Sequence, residues 1–375
     1  MLDDKTISDL HKAFAGSPNG FLVVDQGQPS FAVLPYQTYQ TLRQAQGMPK
    51  KKIKKVLVTG GAGYIGSHTV KLLLDEGFEV VVFDNLSTGR REAVGDTELV
   101  MGDLADRTAL DKVFKKNKFD AVIHFAASIE VEESVADPAK YYQNNVVNGL
   151  NLLDAMAQNG VSKIVFSSSA AVYGEPDKTP IHEDSSCNPT NPYGETKLAF
   201  EKILKWYAGA YGISSVSLRY FNAAGALGEE GLGYDKSLRH THLIPRVLDA
   251  ALGKTAEIEV FGKDYKTPDG TCVRDYIHVL DLASAHIASL HKLEKDSGAH
   301  VYNVGTGKGY SVLEIIDAAV EVTGRMIPMK FADRRPGDPA KIFADSSKLQ
   351  KELGWKPEHD LKSIIQSSWE WQKSS

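Results

Sequence analysis

From Val56 onward, short apolar runs alternate along the chain with segments of helical spacing. Runs apolar at consecutive positions predict buried strands at 56–59, 80–83, 99–101, 121–125, 163–168 and 215–220. Helical spacing lies between most of them, near 65–76, 107–117, 138–159 and 193–210. Strands that are apolar on both faces and alternate with helices indicate a parallel sheet covered on both sides. The pattern predicts an α/β fold built on a doubly wound parallel sheet.

The alternation loosens after Asn222, where Gly, Pro and loop segments become more frequent. We therefore place a smaller C-terminal α/β lobe for the substrate at 222–375, with the chain crossing back to the main sheet. Residues 53–221 form the larger domain. Residues 1–52 form an N-terminal appendage with a lysine-rich linker.

Within the appendage, 21–25 and 30–34 are short apolar runs separated by a Gly- and Pro-containing turn, and 36–46 could form a short helix. The segment 23–35 is similar to the front half of small bacterial antitoxin proteins of the prevent-host-death type. That resemblance implies a protein contact or self-association through residues 1–49. The alternative is an extension without separate activity.

Composition narrows the function classes. The 375 residues carry a formal net charge of -5 and contain no apolar run near the ~20 residues of a membrane helix. The start lacks the basic and apolar regions of a signal peptide. Cys187 and Cys272 are the only cysteines and form no zinc spacing. We expect a cytoplasmic protein with no metal, no nucleic acid and no membrane contact.

A glycine-rich turn joins the first predicted strand of the larger domain to its helix. It reads Gly60-Gly61-Ala62-Gly63-Tyr64-Ile65-Gly66. Such glycines permit a tight turn and let backbone N–H groups approach a pyrophosphate at the helix N-terminus. Asp84 ends the next strand at about the ~20-residue distance of a dinucleotide site. Its carboxylate would accept from both ribose hydroxyls and repel a 2′-phosphate, which favours NAD over NADP.

Three later positions extend this Rossmann-type site. Asn85 can add a hydrogen bond, and Asp103 follows the third strand, where it can meet an adenine amino group. Small residues after the fourth strand, Ala126 among them, let the backbone lie against a cofactor. His124 lies inside that strand and is interpreted as a satisfied core histidine.

Tyr193 and Lys197 stand four residues apart, so on a helix they share one face. Asn191 and Pro192 suit the cap and first position of that helix. An ammonium held near a phenol lowers its pKa, and such a tyrosine can act as a base on a sugar hydroxyl. With Ser169 at the tip of the preceding strand, the set combines a base, its tuner and a hydroxyl that holds a substrate oxygen.

Longer motifs make the chain resemble the extended short-chain dehydrogenase/reductase family, and within it the 4-epimerases of UDP-sugars, from residue 53 to about 373. The motifs are 60–68 (GGAGYIGSH), 84–86 (DNL), 219–222 (RYFN), 269–278 (DGTCVRDYIH), 302–307 (YNVGTG) and 334–338 (RRPGD). The resemblance implies a Rossmann domain with NAD, a UDP-sugar lobe and a homodimer. It also implies interconversion of UDP-galactose and UDP-glucose through a 4-keto sugar and enzyme-bound NADH.

The resemblance also assigns residues. Tyr193, Lys197 and Ser169 would be catalytic. The NAD site would comprise Gly60, Gly63, Tyr64, Ile65, Gly66, Asp84, Asn85, Asp103, Leu104, Phe125, Ala126, Asn144, Lys197 and Phe221. The UDP-sugar site would comprise Ser169, Tyr193, Asn222, Leu243, Phe261, Arg274, Arg335 and Asp338. Arginines suit a diphosphate because they pair with it bidentately.

Two departures from the family pattern concern the cofactor and the substrate. Some members carry a lysine after the fourth strand, where 128–133 here reads SIEVEE, so a cationic contact to the cofactor is absent. A position known to gate N-acetylated sugars matches Ile342, whose size is intermediate, so acceptance of N-acetylhexosamines stays open. The alternatives are an epimerase of another UDP-sugar, namely an N-acetylhexosamine, a pentose or a uronate, and an NAD-binding sensor without turnover. A uronate enzyme would need an extra cation near C6 of the sugar, and the sequence offers none.

Overall fold

The computed structural model describes residues 21–25, 28–33, 52–237, 240–335 and 338–374, the first two ranges as backbone. The chain divides into two compact units, Met1–Lys52 and Ile53–Ser375. In the first unit, β1 (Phe21–Asp25) pairs antiparallel with β2 (Gln28–Val33), as the predicted strand-turn-strand requires. The predicted helix at 36–46 and Pro336 and Gly337 of the last motif lie outside the described residues.

The first half of the second unit alternates strands and helices as the pattern predicts. Its elements are β3 (Lys55–Thr59), α1 (Tyr64–Asp75), β4 (Glu79–Asp84), β5 (Glu98–Met101), α2 (Arg107–Lys116), β6 (Ala121–His124), α3 (Val131–Ala136), α4 (Pro138–Tyr142), α5 (Asn148–Gln158), β7 (Lys163–Ser167), α6 (Pro192–Tyr211) and β8 (Ser214–Tyr220).

The second half mixes short strands with helices. It comprises β9 (Asn222–Ala224), α7 (Leu243–Ala251), β10 (Ile258–Phe261), β11 (Val273–His278), α8 (Val279–Lys295), β12 (Ala299–Val304), β13 (Gly309–Ser311), α9 (Val312–Thr323), β14 (Met329–Ala332), β15 (Lys341–Ile342), α10 (Ser347–Leu353) and α11 (Leu361–Lys373).

Seven parallel strands form the main sheet in the order β12-β8-β7-β6-β3-β4-β5. This confirms the doubly wound fold class. The strand order reverses at β3, whose neighbours are β4 on one side and β6 on the other. In open sheets of this kind, the crevice beyond the carboxyl ends of the strands at that point is where ligands bind.

Side chains of β3 alternate between two cores on opposite faces of this sheet. Val56 and Val58 pack in the cluster that holds Leu73 of α1 and Leu290 of α8. Leu57 packs in the cluster that holds residues of α2, α5 and α6, including Phe200. Because both faces are covered by helices, the three central positions of the strand, Val56, Leu57 and Val58, are all apolar, and a periodicity of two is absent from the sequence.

The helix expected over 138–159 is interrupted. A π-helical segment, Gln143–Val147, separates α4 from α5. The apolar spacing continues through it, so the sequence predicts one helix where the structure has three pieces. The segment carries Asn144 and Asn145, both of which donate hydrogen bonds to the loop after β6.

Part of the chain after Asn222 forms a smaller body with its own core, while α8 and β12 pack with the main sheet. In this smaller body, β11 pairs with β13, β15 and β9, while β10 pairs with β14. Val247, Ile315 and Ile365, from α7, α9 and α11, fill its interior. The chain then returns through β12 to the edge of the main sheet beside β8. The division into lobes at 53–221 and 222–375 stays a prediction.

None of the helices in the described part of the chain is both long enough and apolar enough to span a membrane.

Candidate active site

The site is built around the first turns of α6. Asn191 caps this helix, its side-chain oxygen accepting from the Gly194 N–H at 2.9 Å, and Pro192 takes the first position. Tyr193 is thereby held in the first turn and Lys197 one turn later, both buried. The predicted helix start and shared face are present.

Lys197 is held by the strand beside it. Its Nζ donates to the Ser167 carbonyl oxygen at 2.8 Å and lies 5.0 Å from the ring centroid of Phe166. Burial lowers the pKa of Lys197 to about 7, an effect that the nearby Glu201 carboxylate opposes. At neutral pH this lysine is therefore poised between its two protonation states.

Tyr193 and Ser169 both line the cavity, and the Ser169 hydroxyl accepts from the Ala171 N–H at 3.1 Å. Burial raises the pKa of Tyr193, the nearby Ser169 hydroxyl lowers it, and the charge of Glu130 raises it. The expected lowering of this pKa by Lys197 is wrong for this structure, because desolvation of the phenolate dominates. The lysine Nζ lies 5.8 Å from the tyrosine ring centroid and is turned to the Ser167 carbonyl.

The glycine-rich turn has the close packing that a dinucleotide site needs. Gly60 has φ +74°, and a Cβ there would lie 2.5 Å from the Ala126 backbone nitrogen. A Cβ on Gly66 would lie 2.3 Å from the Gly60 oxygen. No side chain of the described residues caps α1, and its first turn holds no acid. The N-terminus therefore presents free N–H groups and positive dipole to an anion.

Polar side chains follow β4 and β5 at the same edge. Asp84 accepts from the Ala62 N–H at 2.9 Å and from the Leu86 N–H at 2.8 Å. The Asn85 amide donates to Asp103 at 2.7 Å, which links the ends of these two neighbouring strands. The acidic residues predicted for the ribose and adenine therefore lie side by side.

One continuous cavity of about 930 Å³ joins these groups to Tyr193. It is lined by most of the residues assigned above: Gly60, Gly63, Tyr64, Ile65, Gly66, Asp84, Asn85, Asp103, Leu104, Phe125, Ala126, Asn144, Ser169, Tyr193, Phe221, Asn222, Leu243, Arg274, Asp338 and Ile342. Its size is at the upper end of small-molecule sites, as a dinucleotide beside a nucleotide sugar would need.

Three assigned residues do not line this cavity. They are Lys197, Phe261 and Arg335. The Lys197 Nζ lies 5.8 Å from the ring centroid of Tyr193, and the Arg335 guanidinium lies 4.1 Å from the ring centroid of Phe261. Arg274, which does line it, forms an ion pair with Asp338. Four of the six residues assigned to UDP thus lie as two pairs, Arg274 with Asp338 in the cavity wall and Phe261 with Arg335 outside it.

His124 is a core residue, as interpreted from the sequence. Its Nδ1 shares a 2.8 Å hydrogen bond with the Thr59 hydroxyl. Burial, and then the charge of Lys197, lower its pKa to about 3, so it stays neutral. Among the described residues, Cys272 is buried and Cys187 half-buried, and both are free thiols.

Sequence reasoning missed several polar groups of the site. Glu130, Tyr234 and His242 line the cavity. Asn145 is buried and donates to the Ser128 carbonyl oxygen and the Thr196 hydroxyl, so it ties the loop after β6 to α6. An asparagine in an otherwise apolar helical pattern was the only available signal for Asn145. The others lie in loops or at a helix start, where no periodicity marks a side chain.

Comparison with known proteins agrees with this geometry. The sequence model described as the NAD dependent epimerase/dehydratase family matches residues 56–305. The UDP-glucose 4-epimerase of Halalkalibacterium halodurans is 50% identical over 319 residues, which cover 85% of this chain and 95% of that protein. That of Bacillus subtilis is 50% identical over 329 residues, covering 85% and 97%.

Solved structures of UDP-sugar 4-epimerases are also similar to this chain. The crystal structure of UDP-glucose 4-epimerase from Brucella ovis in complex with NAD has a TM-score of 0.82 at 48% identity, covering 85% of this chain and 98% of that one. The UDP-Glc/GlcNAc 4-epimerase of Campylobacter jejuni has a TM-score of 0.76 at 42% identity, covering 86% and 100%. With this fold, this cavity and these relatives, the chain belongs to the NAD-dependent epimerase/dehydratase family.

Proposed function

We propose that this protein interconverts UDP-galactose and UDP-glucose by inverting C4 of the sugar, with NAD as cofactor. The observation that carries the proposal is the single cavity that joins the glycine-rich turn, Tyr193 with Ser169, and Arg274. Relatives that are about half identical over most of their length, and that are named UDP-glucose 4-epimerase, support the same reaction.

The cofactor fits the residues present. The close packing at Gly60 and Gly66 leaves the start of α1 open to a pyrophosphate, and the Asp84 carboxylate suits ribose hydroxyls. NAD, when bound there, would supply the hydride acceptor and donor for C4 of the sugar. The residues proposed to hold it are those assigned to the NAD site above. Asp84 would repel a 2′-phosphate, which favours NAD over NADP.

Tyr193 is proposed as the group that removes the proton from the 4-hydroxyl of the sugar and later returns it. Ser169, which lines the same cavity as this tyrosine, would hold the same substrate oxygen. Lys197 would exchange protons with Tyr193 and Ser169, since its lowered pKa lets it take or give a proton near neutral pH. Loss of hydride and proton gives a 4-keto sugar, which turns in the cavity before both return.

The UDP part is proposed to bind at the far end of the cavity, against Asn222, Leu243 and Arg274, with Asp338 holding that arginine in place. Phe261 and Arg335 form the adjoining pair and would close on the nucleotide. A firmly held nucleotide keeps the substrate in the site while the sugar itself is free to rotate.

A second substrate is favoured by one wall residue. Ile342 is half-buried in the cavity wall, on β15 beside Arg274 of β11. A side chain of this size leaves more room than an aromatic one, so the UDP-sugars with an N-acetyl group are the second candidates. The Campylobacter jejuni relative is described as acting on both UDP-Glc and UDP-GlcNAc.

We further propose a homodimer formed through neighbouring helices of the larger domain. Val135, Tyr142, Val147 and Trp206 are exposed large apolar side chains on α3, α4, the π-helical segment and α6. Helices α3 and α4 both pack against α6, so these side chains lie on adjoining elements. A second copy would cover them. The two free thiols support a reducing, cytoplasmic location.

The test is direct. Purified protein is incubated with UDP-galactose, UDP-glucose and both N-acetyl analogues without added NAD, and C4 inversion is followed by NMR. We expect inversion of the first two. A protein that retains NAD but inverts none of the four would overturn the proposal and leave a binding role. Size-exclusion chromatography with light scattering tests the dimer, and Trp206→Glu should shift it to monomer.

A further inference from the structure

Glu130 stands at the point where the loop after β6 enters α3. Its backbone is fixed, because its carbonyl oxygen accepts from the Tyr141 hydroxyl at 2.6 Å and from the Ser134 N–H at 3.0 Å. Its side chain does not cap α3. Within the described part of the chain it forms neither a hydrogen bond nor an ion pair. This half-buried carboxylate lines the cavity and is available to contact a ligand.

The cations in the cavity wall are already paired with other carboxylates. Lys140 contacts Glu133 at 2.5 Å, and Arg274 pairs with Asp338. Lys197 does not line the cavity. Among the described lining residues, the sugar compartment around Tyr193 therefore holds an acid without a balancing base.

The charge of Glu130 affects titratable side chains on several sides of this compartment. Burial raises the pKa of Tyr193 and of Tyr234, and Glu130 raises both further. Burial lowers the pKa of His242, and Glu130 opposes that shift. A charge that acts on three wall residues of one cavity also acts on a sugar between them, whichever face the ring turns to Tyr193.

We propose that Glu130 is a specificity residue that restricts the site to neutral sugars and rejects nucleotide sugars whose sugar carries a carboxylate. Two carboxylates in one cavity repel each other, and neither is offset by a free cation among the described lining residues. A neutral sugar offers hydroxyl donors to the same side chain instead. The inference rests on the proposed function and narrows its substrate class. Of the alternative substrates that the sequence left open, this inference excludes UDP-sugars that carry a uronate.

The experiment compares binding by wild type, Glu130→Gln and Glu132→Gln, each with its retained NAD. Glu132 is the matched control, since it is an exposed acid of α3 that does not line the cavity. Calorimetry gives the Kd of UDP-glucose and of UDP-glucuronate for each protein. The ratio of the two constants isolates the sugar from the shared nucleotide.

We expect wild type and Glu132→Gln to prefer UDP-glucose, and Glu130→Gln to reduce that preference by about tenfold or more. Glu130→Ala should reduce it similarly, which covers a failure of one variant to fold. Equal ratios in wild type and both Glu130 variants would overturn the inference. Failure of wild type to invert UDP-glucose would overturn the proposed function instead, and the binding ratio would still report on Glu130.

Discussion

Glu201 and Arg219 form an ion pair of 2.6 Å in which both side chains are nearly inaccessible to solvent. The pair joins α6, one turn after Lys197, to β8, and a second nitrogen of the arginine donates to the same carboxylate at 2.9 Å. Glu201 also accepts from the Ser168 hydroxyl at 2.5 Å. The helix that carries Tyr193 is therefore fixed to the sheet by a buried charge network.

Breaking this pair should destabilise the protein strongly. Arg219→Met leaves Glu201 buried without its partner, at an expected cost of about 3–5 kcal/mol in the free energy of unfolding. Urea denaturation measures it. Lys116→Met is the control, because it removes the exposed pair with Glu98 and should cost at most about 1 kcal/mol. An equal loss in the free energy of unfolding for Arg219→Met and Lys116→Met would contradict a stabilising role of the buried pair.

Removing the Tyr193 hydroxyl should abolish inversion at C4. Tyr193→Phe is expected to lower kcat by about 10²–10⁴-fold while UDP binding stays within a few-fold of wild type. NMR measures the first and calorimetry the second. Tyr211→Phe, at an exposed tyrosine of the same helix, should leave both unchanged. Normal turnover by Tyr193→Phe would remove this residue from the mechanism.

Lys197 should make stability depend on pH. Its folded pKa of about 7 lies below the unfolded value of 10.5, so the unfolded chain binds more protons between these limits. Stability contributed by this group therefore rises with pH from about 7 to 10.5. Relative to Lys197→Met, wild type should gain stability over this window, as urea midpoints at several pH values would show.

The control for that series is Lys202→Met, an exposed lysine of the same helix. It should run parallel to wild type across the window. Parallel curves for Lys197→Met as well would mean that the ammonium is not desolvated in the folded protein.

A methyl group on Gly66 should disrupt the dinucleotide turn. Its Cβ would stand 2.3 Å from the Gly60 oxygen and 2.8 Å from the Gly61 Cα, so backbone must move. We expect Gly66→Ala to lose about 1–3 kcal/mol and to be purified with less NAD. Gly209→Ala, in α6 with open space around it, should instead gain about 0.5–1 kcal/mol. NAD release after acid treatment and urea denaturation give the two readouts.

Much of the fold follows from the sequence because its signals are local. The β3 strand and the start of α6 are specified by consecutive apolar residues and by the Asn191-Pro192 cap, and both are present as predicted. The π-helical break at Gln143–Val147 is not specified by apolar spacing. Asn145 within this segment donates hydrogen bonds to Ser128 and Thr196, which are distant in sequence and which the local pattern does not indicate.

The electrostatics of the site could not be predicted in the same way. The predicted proximity of Tyr193 and Lys197 is confirmed. The direction of the tyrosine pKa shift, however, depends on how deeply the tertiary structure buries the phenol. The place of Glu130 in the cavity wall likewise depends on where α3 packs. The spacing of residues in the sequence indicates neither the burial of Tyr193 nor the packing position of α3.

The return of the chain through β12 has a consequence for any attempt to divide the protein. A fragment ending near Asn222 would lack the strand that covers β8, and Ser214–Tyr220 would become a bare margin of the sheet. Such an uncovered strand invites pairing with other chains. The part of the chain that forms the main sheet therefore cannot be excised by a single cut, and an isolated version would require β12 to be grafted back.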